Sequence, residues 1–118
     1  MPVRIKYVFD VHLVSNREFD LTEMLKVSDA FDIYEVEKNM HEKLIVDVKR
    51  VDRSSVVLRI TPKDTMSYPE IGKYLKDILN FVKSKTGIQL EVVRIDWNVS
   101  EFGIASRVGE FNIENILD

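Results

Sequence analysis

The chain has 118 residues, with 17 Lys and Arg against 20 Asp and Glu, and no cysteine. This length is close to the commonest domain size and buries enough surface on folding to need no covalent staple. The missing cysteines exclude disulfides, thiolate metal centres and cysteine nucleophiles, and a net charge of −3 argues against nucleic acid, whose phosphates call for a basic excess.

The opening stretch, MPVRIKYVFDVHLV, places Val3, Ile5, Tyr7, Phe9, Val11 and Leu13 at every second position, with Arg4, Lys6, Asp10 and His12 between them. Period two over this length predicts a long strand with one buried face. Val8 and Val14 fall on the other face, so that face is expected to be partly covered. The pattern is not the positive region plus apolar run of a signal peptide. No run approaches the ~18 apolar residues of a membrane span. A cytoplasmic location and no membrane association are expected.

In DLTEMLKV, Asp20 and Glu23 form a capping box, and Leu21, Met24 and Leu25 are read as one face of a starting helix. Its end is open. Phe31, Ile33, Tyr34 and Val36 fit neither period, so residues 29–40 read either as helix to about Lys38 or as an extra strand, FDIYEVEK, after a stop near Ser28. The strand formers in IYEV tilt the balance towards the strand.

KLIVDVKRV and SVVLRIT flank the polar turn DRSS and predict a β-hairpin that Pro62 closes. SYPEIGKYLKDILNFVKSKTG then carries Ile71, Tyr74, Leu75, Ile78, Leu79 and Val82 at helical spacing. Ser67 and Glu70 form its capping box, Pro69 lies in the first turn, Lys83 and Lys85 in the last, and Gly87 marks the stop. An amphipathic helix over 68–85 laid on a sheet is predicted.

The last strand, IQLEVVRIDWNV, changes parity. Ile88, Leu90 and Val92 are even, whereas Val93, Ile95, Trp97 and Val99 are odd. A regular strand cannot switch faces, so a β-bulge near Val92–Val93, or burial on both faces, is predicted. Gly103 and Gly109 interrupt the remainder of the chain, and residues 100–118 are read as an irregular C-terminal extension packing on the domain or a partner.

The order β-α-(β)-β-β-α-β predicts a single α+β domain over 1–118. It has an antiparallel sheet of four or five strands and two helices on one face, the ferredoxin-like split βαβ arrangement. That arrangement hosts many functions and assigns none.

Two sets of candidate residues emerge. Asp10 and His12 share a strand face and, with Arg94, Asp96, Trp97 and Phe102, form a candidate interaction or pocket patch. Lys73, Lys76 and Lys83 stripe the outer side of the second helix as a candidate basic docking surface for an acidic partner. No catalytic, cofactor or metal site is assigned: there is no phosphate loop, no G-x-S-x-G and no HExxH spacing. SVVLRIT also lacks the aromatics of an RNA-reading sheet. NVS at Asn98 is read as a chance match to the glycosylation pattern. The expectation is a non-catalytic protein-binding module of the inhibitor, immunity or regulatory-subunit type, without cofactor, that binds a protein partner or self-associates as a homodimer. The alternative is a small dimeric ligand-binding protein or enzyme with a pocket around Asp10, His12 and Arg94.

Overall fold

The computed structural model describes residues 6–38, 43–63, 66–101 and 104–111. In chain order these give β1 (Lys6–Ser15), α1 (Leu21–Glu37), β2 (Leu44–Val51), β3 (Ser55–Pro62), α2 (Tyr68–Thr86), β4 (Leu90–Glu101) and β5 (Ile104–Phe111). The fold is α+β: one five-stranded sheet in the order β2-β3-β1-β4-β5, antiparallel at every pairing, and two helices.

Alternation decides which side of each strand enters the core. Phe9, Val11 and Leu13 of β1 lie opposite Ile60, Leu58 and Val56 of β3, and all six are buried in one cluster. Both helices deliver residues to that same cluster: Val27, Ala30, Phe31 and Tyr34 from α1, and Ile71, Leu75, Ile78, Phe81 and Val82 from α2. The helices also hold each other. The Tyr34 hydroxyl donates to Asp77 Oδ2 at 2.7 Å, and its ring meets Phe81 edge-on at 5.5 Å.

Both predicted N-caps are in place, but only α1 closes its predicted box; at α2 Ser67 Oγ accepts from the Glu70 amide at 3.4 Å while the Glu70 carboxylate meets the Ser67 hydroxyl and not its amide. Asp20 accepts from the Glu23 amide at 2.8 Å while Glu23 accepts from the Asp20 amide at 3.2 Å, which closes a full capping box on α1. Ser67 caps α2. Gly87 ends it in the left-handed conformation at φ 73°, a region glycine enters without the steric cost of a Cβ.

Three sequence expectations change. Residues 29–37 continue α1, so the lean towards an extra strand there is corrected. Positions 27, 30, 31 and 34 make a regular helical stripe, but apolar residues on the outer side of the same helix mask it in the sequence. Leu21 and Leu25, read as sharing a face with Met24, point outward, while Met24 packs on the core. Over Ile104–Phe111 the irregular extension gives way to β5, paired with β4 from Ile95↔Phe111 to Glu101↔Ile104. β5 is a strand because β4 offers it a free edge of donors and acceptors, which local sequence does not reveal.

The bulge in β4 is where the parity switch placed it. His12 faces Arg94 and the next residue, Leu13, faces Val92, so Val93 is the extra residue. Leu90 and Val92 therefore join the core side before the bulge, and Ile95 and Trp97 join it afterwards.

Candidate functional site

The bulge also determines what reaches the side of the sheet away from the core. Once Val93 is looped out, Arg94, Asp96 and Asn98 of β4 share that side with Asp10 and His12 of β1 and Arg59 of β3. Asp10 and Asp96 are register partners. Two carboxylates directly opposite repel, so each needs cations or donors of its own.

Both have them. Asp10 receives Arg59 in a fork, Nε to Oδ1 at 2.7 Å and Nη2 to Oδ2 at 3.0 Å, and Asn98 Nδ2 donates to Oδ2 at 2.8 Å. Asp96 receives Arg94 Nε on Oδ1 at 2.8 Å and has His12 Nε2 at 3.1 Å from Oδ2. Hydrogen bonding to Asp10 holds the Arg59 guanidinium above its usual range, against the opposing effect of burial. Asp96 and Asn98 are only 7% and 5% exposed, and among the described residues no buried side-chain nitrogen or oxygen lacks a partner.

Of the predicted patch, the structure thus brings Asp10, His12, Arg94 and Asp96 together. Trp97 points to the other side, half-buried against the core cluster opposite Phe9. Phe102 lies outside the described residues. Arg59 and Asn98, absent from the predicted patch, complete it. Arg59 was visible as the polar residue alternating within SVVLRIT. Asn98 is buried and bonded to Asp10, a poor position for a glycan acceptor.

Chemically this is a saturated network. Both oxygens of Asp10 and both of Asp96 are already engaged, by Arg59 and Asn98 on one side and by Arg94 and His12 on the other. No group of three or more His, Asp or Glu among the described residues could hold a metal ion. Of the four valines that alternation places on this side, Val8 is buried within the chain, Val14 and Val57 are half-buried, and Val93 is exposed.

The lysine stripe is a separate place. Lys73, Lys76 and Lys83 are exposed on α2, and Lys76 and Lys83 border a shallow groove of about 330 Å³ with Leu79, Asn80, Gln89 and Leu90.

A third surface was not anticipated. Leu21, Leu25 and Val36 are 78%, 66% and 66% exposed on α1, and Ile33 is 39% exposed. The available signal was an excess of apolar residues for one helical face: α1 carries eight besides Tyr34, more than a single stripe accommodates. No helix among the described residues is long and apolar enough to cross a membrane. No protein-family model matches the sequence, and neither a curated protein nor a solved structure gives a significant match.

Proposed function

We propose that the domain is a non-catalytic protein-binding module whose docking face is the outer side of α1. The observation that carries this reading is the clustering of exposed large apolar side chains: Leu21, Leu25, Ile33 and Val36 lie on one helix, and Val93 is the remaining one among the described residues. Single apolar residues scattered on a surface are ordinary, but four large ones exposed along one helix, in two pairs, point to a contact site. The saturated state of the Asp10–Asp96 network favours the same reading over catalysis.

The scaffold suits such a role. The order β2-β3-β1-β4, with β3 between its two partners, supports a ferredoxin-like split βαβ unit with both helices on one face, to which β5 adds an edge strand. On that scaffold α1 is held from beneath by the core and from one end by its capping box, so its outer side is a rigid platform.

A photo-crosslinking residue at Leu25, compared with one at Lys49 on β2, tests the reading in host cells. A discrete protein adduct at position 25 alone is expected. Equal or absent crosslinking at both positions argues against a docking face on α1.

The convergence of Asp10, His12, Arg94 and Asp96 favours a second reading, a small-ligand site on the far side of the sheet. Its check is displacement of the His12 imidazole NMR signals by a metabolite mixture. Unmoved signals remove it.

A further inference from the structure

We propose that the outer face of α1 receives an amphipathic helix of a separate protein whose apolar stripe is flanked by lysine or arginine. The inference rests on the docking reading above and names the chemistry of the occupant.

The shape of the surface comes first. At ~100° per residue, Leu21, Leu25 and Val36 fall within about 60° of one another and Ile33 within about 120° of Leu21. At 1.5 Å per residue the stripe from Leu21 to Val36 is about 22 Å long, roughly four turns. The four residues fall in two pairs, Leu21 with Leu25 and Ile33 with Val36, about 12 Å apart along the axis, a distance that a second helix laid alongside spans.

Charge then narrows the occupant. Asp29 and Asp32 sit inside the same arc, both exposed and neither bonded to another described residue. Lys26 lies beyond Ile33, at the rim. An apolar partner without cations would bury these two carboxylates uncompensated, which is costly. A partner with Lys or Arg beside its apolar stripe pairs with them and seals the leucines.

The other occupants fit less well. A second copy pairing α1 with α1 about a two-fold axis sets Leu21 against Val36 but brings Asp29 against Asp29 and Asp32 against Leu25. A second copy offering α2 supplies Lys73, Lys76 and Lys83, yet α2 exposes no large apolar side chain among the described residues to meet Leu21 and Leu25. An anionic membrane surface is repelled by the same two carboxylates.

The test uses the full chain and two labelled helical peptides, one of leucine and lysine with apolar residues at i, i+3 and i+4 spacing, the other with glutamate for every lysine. Fluorescence anisotropy reads binding, and urea melts confirm that each variant is folded. Leu25→Ser with Val36→Ser is expected to weaken the lysine peptide at least about tenfold. Asp29→Lys with Asp32→Lys is expected to weaken it by about as much and to turn the preference to the glutamate peptide. Asp47→Lys with Glu91→Lys, exposed acids away from α1, should leave binding within about twofold.

If the control pair weakens binding as much as the α1 acids do, the effect is bulk charge and the proposal fails. If the apolar substitutions matter but the charge reversal does not, the docking face stands and the basic partner falls. If neither α1 pair matters, both fall. Light scattering that shows a dimer lost on Leu25→Ser assigns the face to a second copy and overturns the proposal.

Discussion

Nε2 of His12 lies 3.1 Å from Oδ2 of Asp96 although the two residues are not opposite each other: His12 faces Arg94, and Asp96 faces Asp10. The diagonal contact completes a pattern in which two facing carboxylates are each drawn sideways, Asp10 towards Arg59 and Asn98, Asp96 towards Arg94 and His12. Each of the two facing carboxylates thus has an arginine of its own to offset the repulsion across the β1–β4 seam.

Arg59→Met should therefore cost more than a surface charge does. It leaves Asp10, largely shielded from water, facing Asp96 with the Asn98 amide still donating to it. A loss of about 2 to 3 kcal/mol is expected, and Asp10→Asn in the same chain should recover at least about 1 kcal/mol of it. Urea melts of the two single variants and the double give the coupling; additive losses would mean that the pair contributes nothing to the seam.

Deleting Val93 should be tolerated. Because Val93 is the residue without a register partner, its removal turns the bulge into a regular ladder and keeps Val92, Arg94 and Ile95 on their present sides. The melting curve should stay cooperative, with a change below about 2 kcal/mol. Deleting Asp10, in a part of β1 with no spare residue, inverts one half of the strand and should abolish the cooperative transition. Two deletions of equal severity would refute the assignment of the extra residue.

Tyr34 gives an alkaline signature. Burial first, then the hydrogen bond to Asp77, pushes its phenol above the ordinary value of 10.0. A group whose folded-state pKa is raised stabilises fully below its unfolded pKa, and that contribution is lost as pH rises beyond it. Above pH ~10 the wild type should lose stability relative to Tyr34→Phe by up to about 1.4 kcal/mol per pH unit, whereas below it the difference should be constant. Chemical melts at a series of pH values check this; parallel curves across pH 10 would contradict it.

Trp97 and Leu25 should behave oppositely. Trp97 packs against the core cluster, so Trp97→Ala should cost about 3 kcal/mol. Leu25 is 66% exposed, so Leu25→Ser should stay within about 0.5 kcal/mol of wild type while affecting binding. A large stability loss at Leu25 would place its side chain in the core and remove it from the proposed docking face.

Gly87→Ala isolates the α2 stop. Nothing lies within 4 Å of where a Cβ would go, so the cost is conformational alone. At φ 73° it should be about 1 kcal/mol, read as a lowered melting temperature with unchanged cooperativity. An unchanged or raised melting temperature would count against the left-handed cap.

How much of this was legible in the sequence depends on the range of each interaction. The strand faces of β1 and β3, the hairpin, α2 with its caps and the bulge at Val93 all rest on side-chain alternation or spacing over a few neighbours, and each could be read directly. The same test applied to β2, where apolar parity passes from Val48 to Val51, would also have exposed its extra residue, Lys49. Other features depended on residues far apart in the chain. α1 continues to Glu37 because the core selects Val27, Ala30, Phe31 and Tyr34, while Leu21, Leu25, Ile33 and Val36 on the outer side erase the periodicity that would have shown it. β5 forms on the edge of β4, and no local pattern reports a templating edge. Arg59 and Asn98 join Asp10 through register, 49 and 88 residues away from it in sequence. Local alternation tells a side chain which face to take; only the packed sheet tells it which partner it meets there.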